Sequence, residues 1–321
     1  MRFRGDLESL KGSFGAVLTP FTEDGAVDID GLKALAGWQR DAGLTGLSIG
    51  GSTGEPSSQT VGERISALRA VAEVTRDEIP FLPAAGSAKL DESLELTRAA
   101  AELGGDAILL ITPYYAKPTQ RALVEWYRVI AGEFPDVPFI VYNVPTRTAV
   151  DVHPQTVLEI RRACDNVVGI KETTKDFEHF SHVLSLCGRD FLVWSGIELL
   201  CLPLLALGGA GYISALSNLT PRSLADMSRA WDERRIEDAQ RIHYALHPLA
   251  ELLFVETNPA PAKWVLQQAG RLASATLRPP LIGLTDEGEA KVARLLAQAR
   301  EVLDYEGLDL AHVLGANPVH A

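Results

Sequence analysis

The chain has 321 residues and a formal charge of −12, with 42 Asp and Glu against 30 Lys and Arg. That balance excludes a general nucleic-acid binder, which needs clustered basic residues. Hydrophobic residues make up 46%, enough for a large core, yet no segment reaches the roughly 18 unbroken apolar residues that mark a membrane span.

Chain order begins with MRFRGDLESLKG, where no apolar stretch follows the basic residues, so no signal peptide is read. Strands are predicted near 14–18, 46–50, 80–84, 106–111, 138–142, 167–171, 191–194 and 210–214. Between them run helical patterns near 30–42, 60–77, 90–104, 118–132, 154–163, 176–187, 198–206 and 220–231. Leu90, Leu94, Thr97 and Ala101 recur at helical spacing, and Pro154 and Pro221 sit at first-turn positions. Eight strand–helix units predict a closed parallel (β/α)8 TIM barrel over 12–232, because parallel strands need covering crossovers. A doubly wound sheet normally carries a Gly-rich nucleotide turn after its first strand. Here that strand runs into Thr19-Pro20-Phe21-Thr22-Glu23-Asp24-Gly25, and the barrel is preferred. Helical patterns near 233–255, 258–270 and 286–304 predict a C-terminal helical extension over 233–305. Residues 306–321 have little periodicity and read as a loosely ordered tail. The three cysteines, Cys164, Cys187 and Cys201, are odd in number and widely spaced. They form neither a paired disulfide framework nor a zinc spacing, and a reducing cytoplasm fits them.

In such a barrel the active site lies at the C-terminal strand ends, and those ends are polar. Lys171 closes the run Val167-Val168-Gly169-Ile170. An amine at that point loses hydration, which favours the neutral nucleophile able to form an imine with a carbonyl substrate. The alternative is a strand cap that snorkels to water. Gly51-Ser52-Thr53-Gly54-Glu55 offers hydroxyls and free N–H groups suited to a carboxylate, or it is an ordinary Gly-rich turn whose hydroxyls bond their own backbone. Tyr142 ends the strand beside that of Lys171. Its phenol either shuttles protons or caps the core. Arg147 either grips a substrate carboxylate or joins a surface ion pair. Ser195-Gly196 follows the seventh strand. His243, His247 and Glu251 share a spacing that metals use, but they fall outside the barrel mouth and Pro248 interrupts them, so no metal is assigned. His179 and His182 read as solvated residues of an outer helix. Gly208-Gly209-Ala210-Gly211 reads as a packing turn on the opposite face of the barrel.

Together, Gly51-Ser52-Thr53-Gly54-Glu55, Thr112-Pro113-Tyr114-Tyr115, Tyr142-Asn143-Val144-Pro145, Gly169-Ile170-Lys171-Glu172 and Phe254-Val255-Glu256-Thr257-Asn258-Pro259 resemble the dihydrodipicolinate synthase and N-acetylneuraminate lyase family of pyruvate-dependent class I aldolases. The likeness spans 12–284. It implies that Lys171 forms the imine and that Tyr142 is the acid/base. Ser52 and Thr53 would relay protons and bind the pyruvate carboxylate, with Gly51, Gly196 and Ile213 also lining the substrate site. Tyr115 would cross a dimer interface into the neighbouring site, and Arg147 would bind the second substrate. A homotetramer of such dimers follows from the family pattern, with no cofactor and no metal. Ser52 replaces the first of the two threonines usual in synthases and matches the sialic-acid lyase version. Tyr115 and Pro145-Thr146-Arg147-Thr148 favour the synthase branch. Val61 and Ala88 stand where the family's lysine-feedback site has histidine and asparagine, while Tyr114 and Glu92 match, so feedback by lysine is expected to be weak or absent.

The expected activity is condensation of pyruvate with an aldehyde, aspartate semialdehyde first, giving 4-hydroxy-tetrahydrodipicolinate. The alternatives are a catabolic, pyruvate-releasing aldolase acting for example on 2,4-dihydroxyhept-2-enedioate, a metal-dependent aldolase, and a non-catalytic keto-acid sensor. No nucleic-acid or membrane partner is expected.

Overall fold

Each apolar run expected to be a strand is one in the computed structural model, which describes residues 7–314. The strands are β1 (Gly12–Val17), β2 (Gly46–Ile49), β3 (Phe81–Pro83), β4 (Ile108–Ile111), β5 (Phe139–Asn143), β6 (Val167–Glu172), β7 (Leu192–Ser195) and β8 (Gly211–Ser214). They form one sheet in the order β3-β2-β1-β8-β7-β6-β5-β4, with parallel pairing throughout. The outer strands meet through a parallel bridge between Ala84 and Leu109. Across this seam Ala85 N–H donates to the Leu109 carbonyl at 3.1 Å and Asp106 N–H to the Phe81 carbonyl at 2.9 Å. The Asp106 carboxylate also accepts from Phe81 N–H at 2.7 Å, so a side chain helps close the barrel.

The helices are α1 (Ile29–Asp41), α2 (Val61–Thr75), α3 (Leu90–Glu102), α4 (Gln120–Glu133), α5 (Pro145–Thr148), α6 (Pro154–Ala163), α7 (Phe177–Cys187), α8 (Cys201–Ala206) and α9 (Pro221–Asp232). Beyond the barrel come α10 (Ile236–Ala245), α11 (His247–Leu252), α12 (Ala260–Gln268), α13 (Asp286–Gln298), α14 (Arg300–Glu306) and α15 (Ala311–Leu314). Local chemistry starts several of them. Asp28, Thr119, Asp176 and Thr285 accept backbone N–H groups in the first turn, and Thr60 and Glu63 form a reciprocal capping box. Pro154 and Pro221 occupy first-turn positions as read from the sequence. One helical face needs correction. In α3 the buried stripe is Ser93, Leu96, Thr97 and Ala100, while Leu90 is exposed, so the face is rotated from the predicted one.

Alternation along the strands sorts two cores. On β5, Phe139 and Val141 face the helices, while Ile140 and Tyr142 face the barrel interior with Phe14, Leu109, Trp194 and Ile213. The lower end of the barrel is stoppered: Leu10 joins the inner cluster and its carbonyl accepts the Trp194 indole N–H at 2.9 Å. Gly211 (φ +151°) lies so close to β1 that a Cβ there would sit 1.9 Å from the Gly12 carbonyl oxygen, which explains the glycine turn on this face.

The extension is tied to the barrel by Glu306, whose carboxylate accepts Arg222 N–H at 3.0 Å and Ser223 N–H at 2.7 Å. Leu308 and Leu310 are buried and 311–314 turn helical, so the described part of the stretch expected to be loose packs against the protein. Residues 315–321 of that stretch lie outside the described residues. Cys164, Cys187 and Cys201 are free and buried. Among the described residues, no helix is long and apolar enough to cross a membrane.

Candidate active site

Strand register places the two central groups. Tyr142 pairs with Lys171 across β5 and β6, and both side chains turn into the upper barrel. The Lys171 Nζ lies 4.5 Å from the Tyr142 ring centroid. Lys171 is 5% exposed, and among the described residues no carboxylate salt-bridges its amine. It is therefore neither a snorkelling cap nor a member of an ion pair. Tyr142 Oη lies 3.0 Å from Ser52 Oγ, and either hydroxyl can donate. The phenol thus shares a hydrogen bond with serine while its ring lies against the lysine amine.

Gly196, just past β7, makes room for this lysine. A Cβ there would fall 2.7 Å from Lys171 Cε and 2.3 Å from Thr173 Cγ2, below real contact distances. Glu198, two residues on, is buried and accepts from Ser214 Oγ at 3.3 Å and Ala215 N–H at 3.2 Å. Burial raises its pKa, against the opposing pull of its backbone hydrogen bonds.

The turn after β2 closes on its own backbone, Gly54 N–H donating to the Gly51 carbonyl at 2.9 Å, but its hydroxyls do not bond that backbone as the plainer reading of its sequence required. Ser52 bonds Tyr142, and Thr53 Oγ1 accepts from the Asn258 amide at 3.1 Å. Gly50 (φ +84°) makes the bend, with the Ala84 carbonyl 2.9 Å from where a Cβ would be. Gly51 has open space in front of it. At the far end of the turn Glu55 is fixed by Lys263, whose Nζ lies 2.5 Å from its carboxylate. That ammonium also donates to the Thr276 carbonyl at 2.9 Å and sits 4.1 Å from the Phe21 ring centroid.

Above these groups opens a cavity of about 240 Å³, lined by Ser52, Pro56, Tyr114, Tyr142, Arg147 and Thr148 among others. Below it, a recess of about 10 Å³ is bounded by Ser48, Ser52, Thr53 and Lys171. The two spaces share Gly51 and Ser52 as a common wall, the larger one bordered by Arg147 and the smaller one by the amine of Lys171. Arg147 sits on α5, a turn read from sequence as a loop. Its Nη2 donates to the Asn258 carbonyl at 3.1 Å, and among the described residues it pairs with no carboxylate. Ile213 faces the barrel interior at 1% exposure. Tyr115 projects away from the chain's own cavity, 93% exposed at φ +72°, and Tyr114 lines the wall instead.

Behind the lysine lies a buried polar cluster. Asn143 pairs with Glu172 across β5 and β6, and its amide donates to both Glu172 oxygens, at 3.1 and 2.9 Å, and to Asp151 at 2.7 Å. His179 Nε2 lies 3.0 Å from Glu172 and Nδ1 3.9 Å from Asp151. This corrects the expectation that His179 is solvated: it is 6% exposed and packs inward from α7. Burial opposes its charge, but Glu172, Asp151 and Asp176 outweigh that and raise its pKa. His243 and His247 do face each other, Nε2 to Nε2 at 3.3 Å, yet among the described residues no group of three or more His, Cys, Asp or Glu is arranged to hold a metal.

Sequence reasoning had quoted Asn258 within a motif and given it no role. Nor did it find Glu198, Lys263 or the Asn143–Glu172–His179 cluster. The burial of polar side chains beside reactive ones is the signal for them, and it is visible only in three dimensions.

Comparison with known proteins gives a consistent result. The family model described as the dihydrodipicolinate synthetase family matches residues 9–299. A 4-hydroxy-tetrahydrodipicolinate synthase from Nitratidesulfovibrio vulgaris (Miyazaki F) is 40% identical over 289 residues, 90% of this chain and 98% of that enzyme. The dihydrodipicolinate synthase of Aquifex aeolicus superposes with TM-score 0.85 at 36% identity, covering 93% of this chain and 98% of the other. The chloride-inhibited dihydrodipicolinate synthase of Acinetobacter baumannii, complexed with pyruvate, does so with TM-score 0.85 at 33% identity, covering 90% and 99%.

Proposed function

Because this chain belongs to the dihydrodipicolinate synthetase family, we propose that it is a Schiff-base lyase condensing pyruvate with aspartate semialdehyde to 4-hydroxy-tetrahydrodipicolinate. The observation that carries the chemistry is a buried amine, unpaired with any carboxylate among the described residues, over a phenol that is itself hydrogen-bonded to a serine hydroxyl. The neutral amine of Lys171 attacks the keto carbon, water leaves, and an iminium forms. The iminium acidifies the adjacent methyl group, whose proton departs to give an enamine. The enamine carbon bonds to the aldehyde carbon, and release of the iminium by water or by the product's own amine frees the lysine. Tyr142 and Ser52 carry the protons between these steps. Thr53, Gly51 and the recess receive the carboxylate of the keto acid, and Arg147 at the wide mouth receives that of the aldehyde. No step calls for a metal or a cofactor.

Tyr115 supports an assembly of more than one chain. A tyrosine 93% exposed beside a cavity it does not enter fits a role in a partner's site, within a homotetramer of such dimers. A cytoplasmic location agrees with three free, buried cysteines. Lysine feedback is weak or absent in this reading, since Val61 and Ala88 stand where the family's feedback site has histidine and asparagine.

The test is borohydride reduction in pyruvate followed by peptide mass mapping. A pyruvate-derived adduct is expected on Lys171 and none in Lys171→Arg. An unlabelled wild type would overturn the reading. A second substrate remains worth assaying, because Pro56 and Ser57 also line the cavity and could contact a longer hydroxy-keto acid. Faster turnover of 2,4-dihydroxyhept-2-enedioate than of aspartate semialdehyde would make the enzyme a catabolic aldolase.

A further inference from the structure

We propose that Asn258, in the loop between α11 and α12, is a positioning residue that sets the hydroxyl of Thr53 as a donor toward the keto-acid carboxylate. This rests on the reading of the site given above and assigns a working part to the helical extension. Thr53 and Asn258 are 205 positions apart, and each is 5% exposed. A hydroxyl has one proton to give and two lone pairs to receive with. The Asn258 amide N–H fills a lone pair at 3.1 Å. Among the described residues the Thr53 proton finds no acceptor, so it remains for a carboxylate entering the recess that Thr53 shares with Lys171. The backbone carbonyl of the same Asn258 accepts Arg147 Nη2 at 3.1 Å. One residue of the extension therefore touches both ends of the substrate space. The loop bearing it is anchored one helical turn away, where Lys263 of α12 pairs with Glu55 at the end of the Thr53 turn.

Asn258→Asp tests the proton assignment. It keeps the shape and the backbone carbonyl but can only accept, so it captures the Thr53 proton and adds charge against an anion. The expected result is a pyruvate KM raised tenfold or more, about the worth of one hydrogen bond to a charged group. The kcat at saturation should stay within about threefold, and borohydride in saturating pyruvate should still label Lys171. A purely structural role would lower the melting temperature without splitting KM from kcat. Asn258→Ala combined with Thr53→Val supplies a second arm that does not need the aspartate variant to fold. Each alone should raise the pyruvate KM, and the pair should raise it no further than Thr53→Val does, because Asn258 acts through that hydroxyl. Full additivity, or an unchanged pyruvate KM in Asn258→Asp while the wild type is labelled, would overturn the inference alone. A wild type that forms no adduct would overturn the reading of the site as well.

Discussion

Replacing Lys263 with methionine breaks an ion pair that water scarcely reaches. The ammonium is 0% and the Glu55 side chain 1% exposed, 2.5 Å apart. At an effective dielectric near 20, unit charges at that spacing attract by about 6–7 kcal/mol. Burial works against this: it lowers the Lys263 pKa from 10.5 to about 8 in spite of Glu55. That depression corresponds to about 3 kcal/mol of lost stability at neutral pH. The pair is therefore worth little more than an apolar replacement of both partners, whereas a lone buried carboxylate is costly, about 3–5 kcal/mol. For a chain of 321 residues the melting entropy is roughly 0.7 kcal/mol per degree. Lys263→Met should then lower the calorimetric melting temperature by about 4–7 °C, and adding Glu55→Gln should restore more than half of that. The pH dependence has a definite sign. The folded state holds Lys263 less protonated than the unfolded state does, so wild-type stability from this group rises as pH goes from about 8 towards 10.5. The methionine variant should lack that rise. A single variant melting within 1 °C of wild type, or a double variant no better than the single, would refute the reasoning.

Tyr142→Phe should cost about 10²-fold in turnover with the fold intact, and steady-state assay beside circular dichroism checks it. Unchanged turnover would remove the phenol from the relay. Gly196→Ala should force Lys171 or Thr173 aside, since its Cβ would lie 2.7 Å from the lysine chain. The rate of borohydride-trapped adduct formation should fall at least tenfold, and a wild-type rate would show that the lysine has slack. His179→Gln addresses the cluster behind the lysine. Its raised pKa means the charged form stabilises the fold fully below 6.5 and loses that contribution as pH climbs through the folded value. Melting temperature followed across this range should fall for the wild type and stay flatter for the variant. Parallel slopes would mean that His179 is neutral throughout.

The barrel was legible because its evidence is local. Four apolar residues ending in Lys171 announce a strand, and a capping box such as Thr60 with Glu63 announces a helix within four positions. The meeting of Tyr142 with Lys171 was legible for the same reason, since they end adjacent strands and register then forces them together. What escaped depends on distance along the chain. Thr53 meets Asn258 across 205 residues, and Lys263 meets Glu55 across a comparable span. No periodicity carries such pairings. His179 was misread because a histidine on an amphipathic helix reads as solvated until the opposing Glu172 and Asp151 are seen. The α3 face slipped because Ser93 counts as polar in sequence yet packs inward, while Leu90 counts as apolar yet is exposed.

Among the described residues, the stopper formed by Leu10 beneath Trp194 closes the barrel at one end and leaves it the other as its door. Whatever reaches the amine comes down through the same opening by which product leaves, and the narrowest place is at the bottom. On the reading proposed above, the reactant bonded to Lys171 takes the recess beside the amine, and its partner waits nearer Arg147 in the larger space.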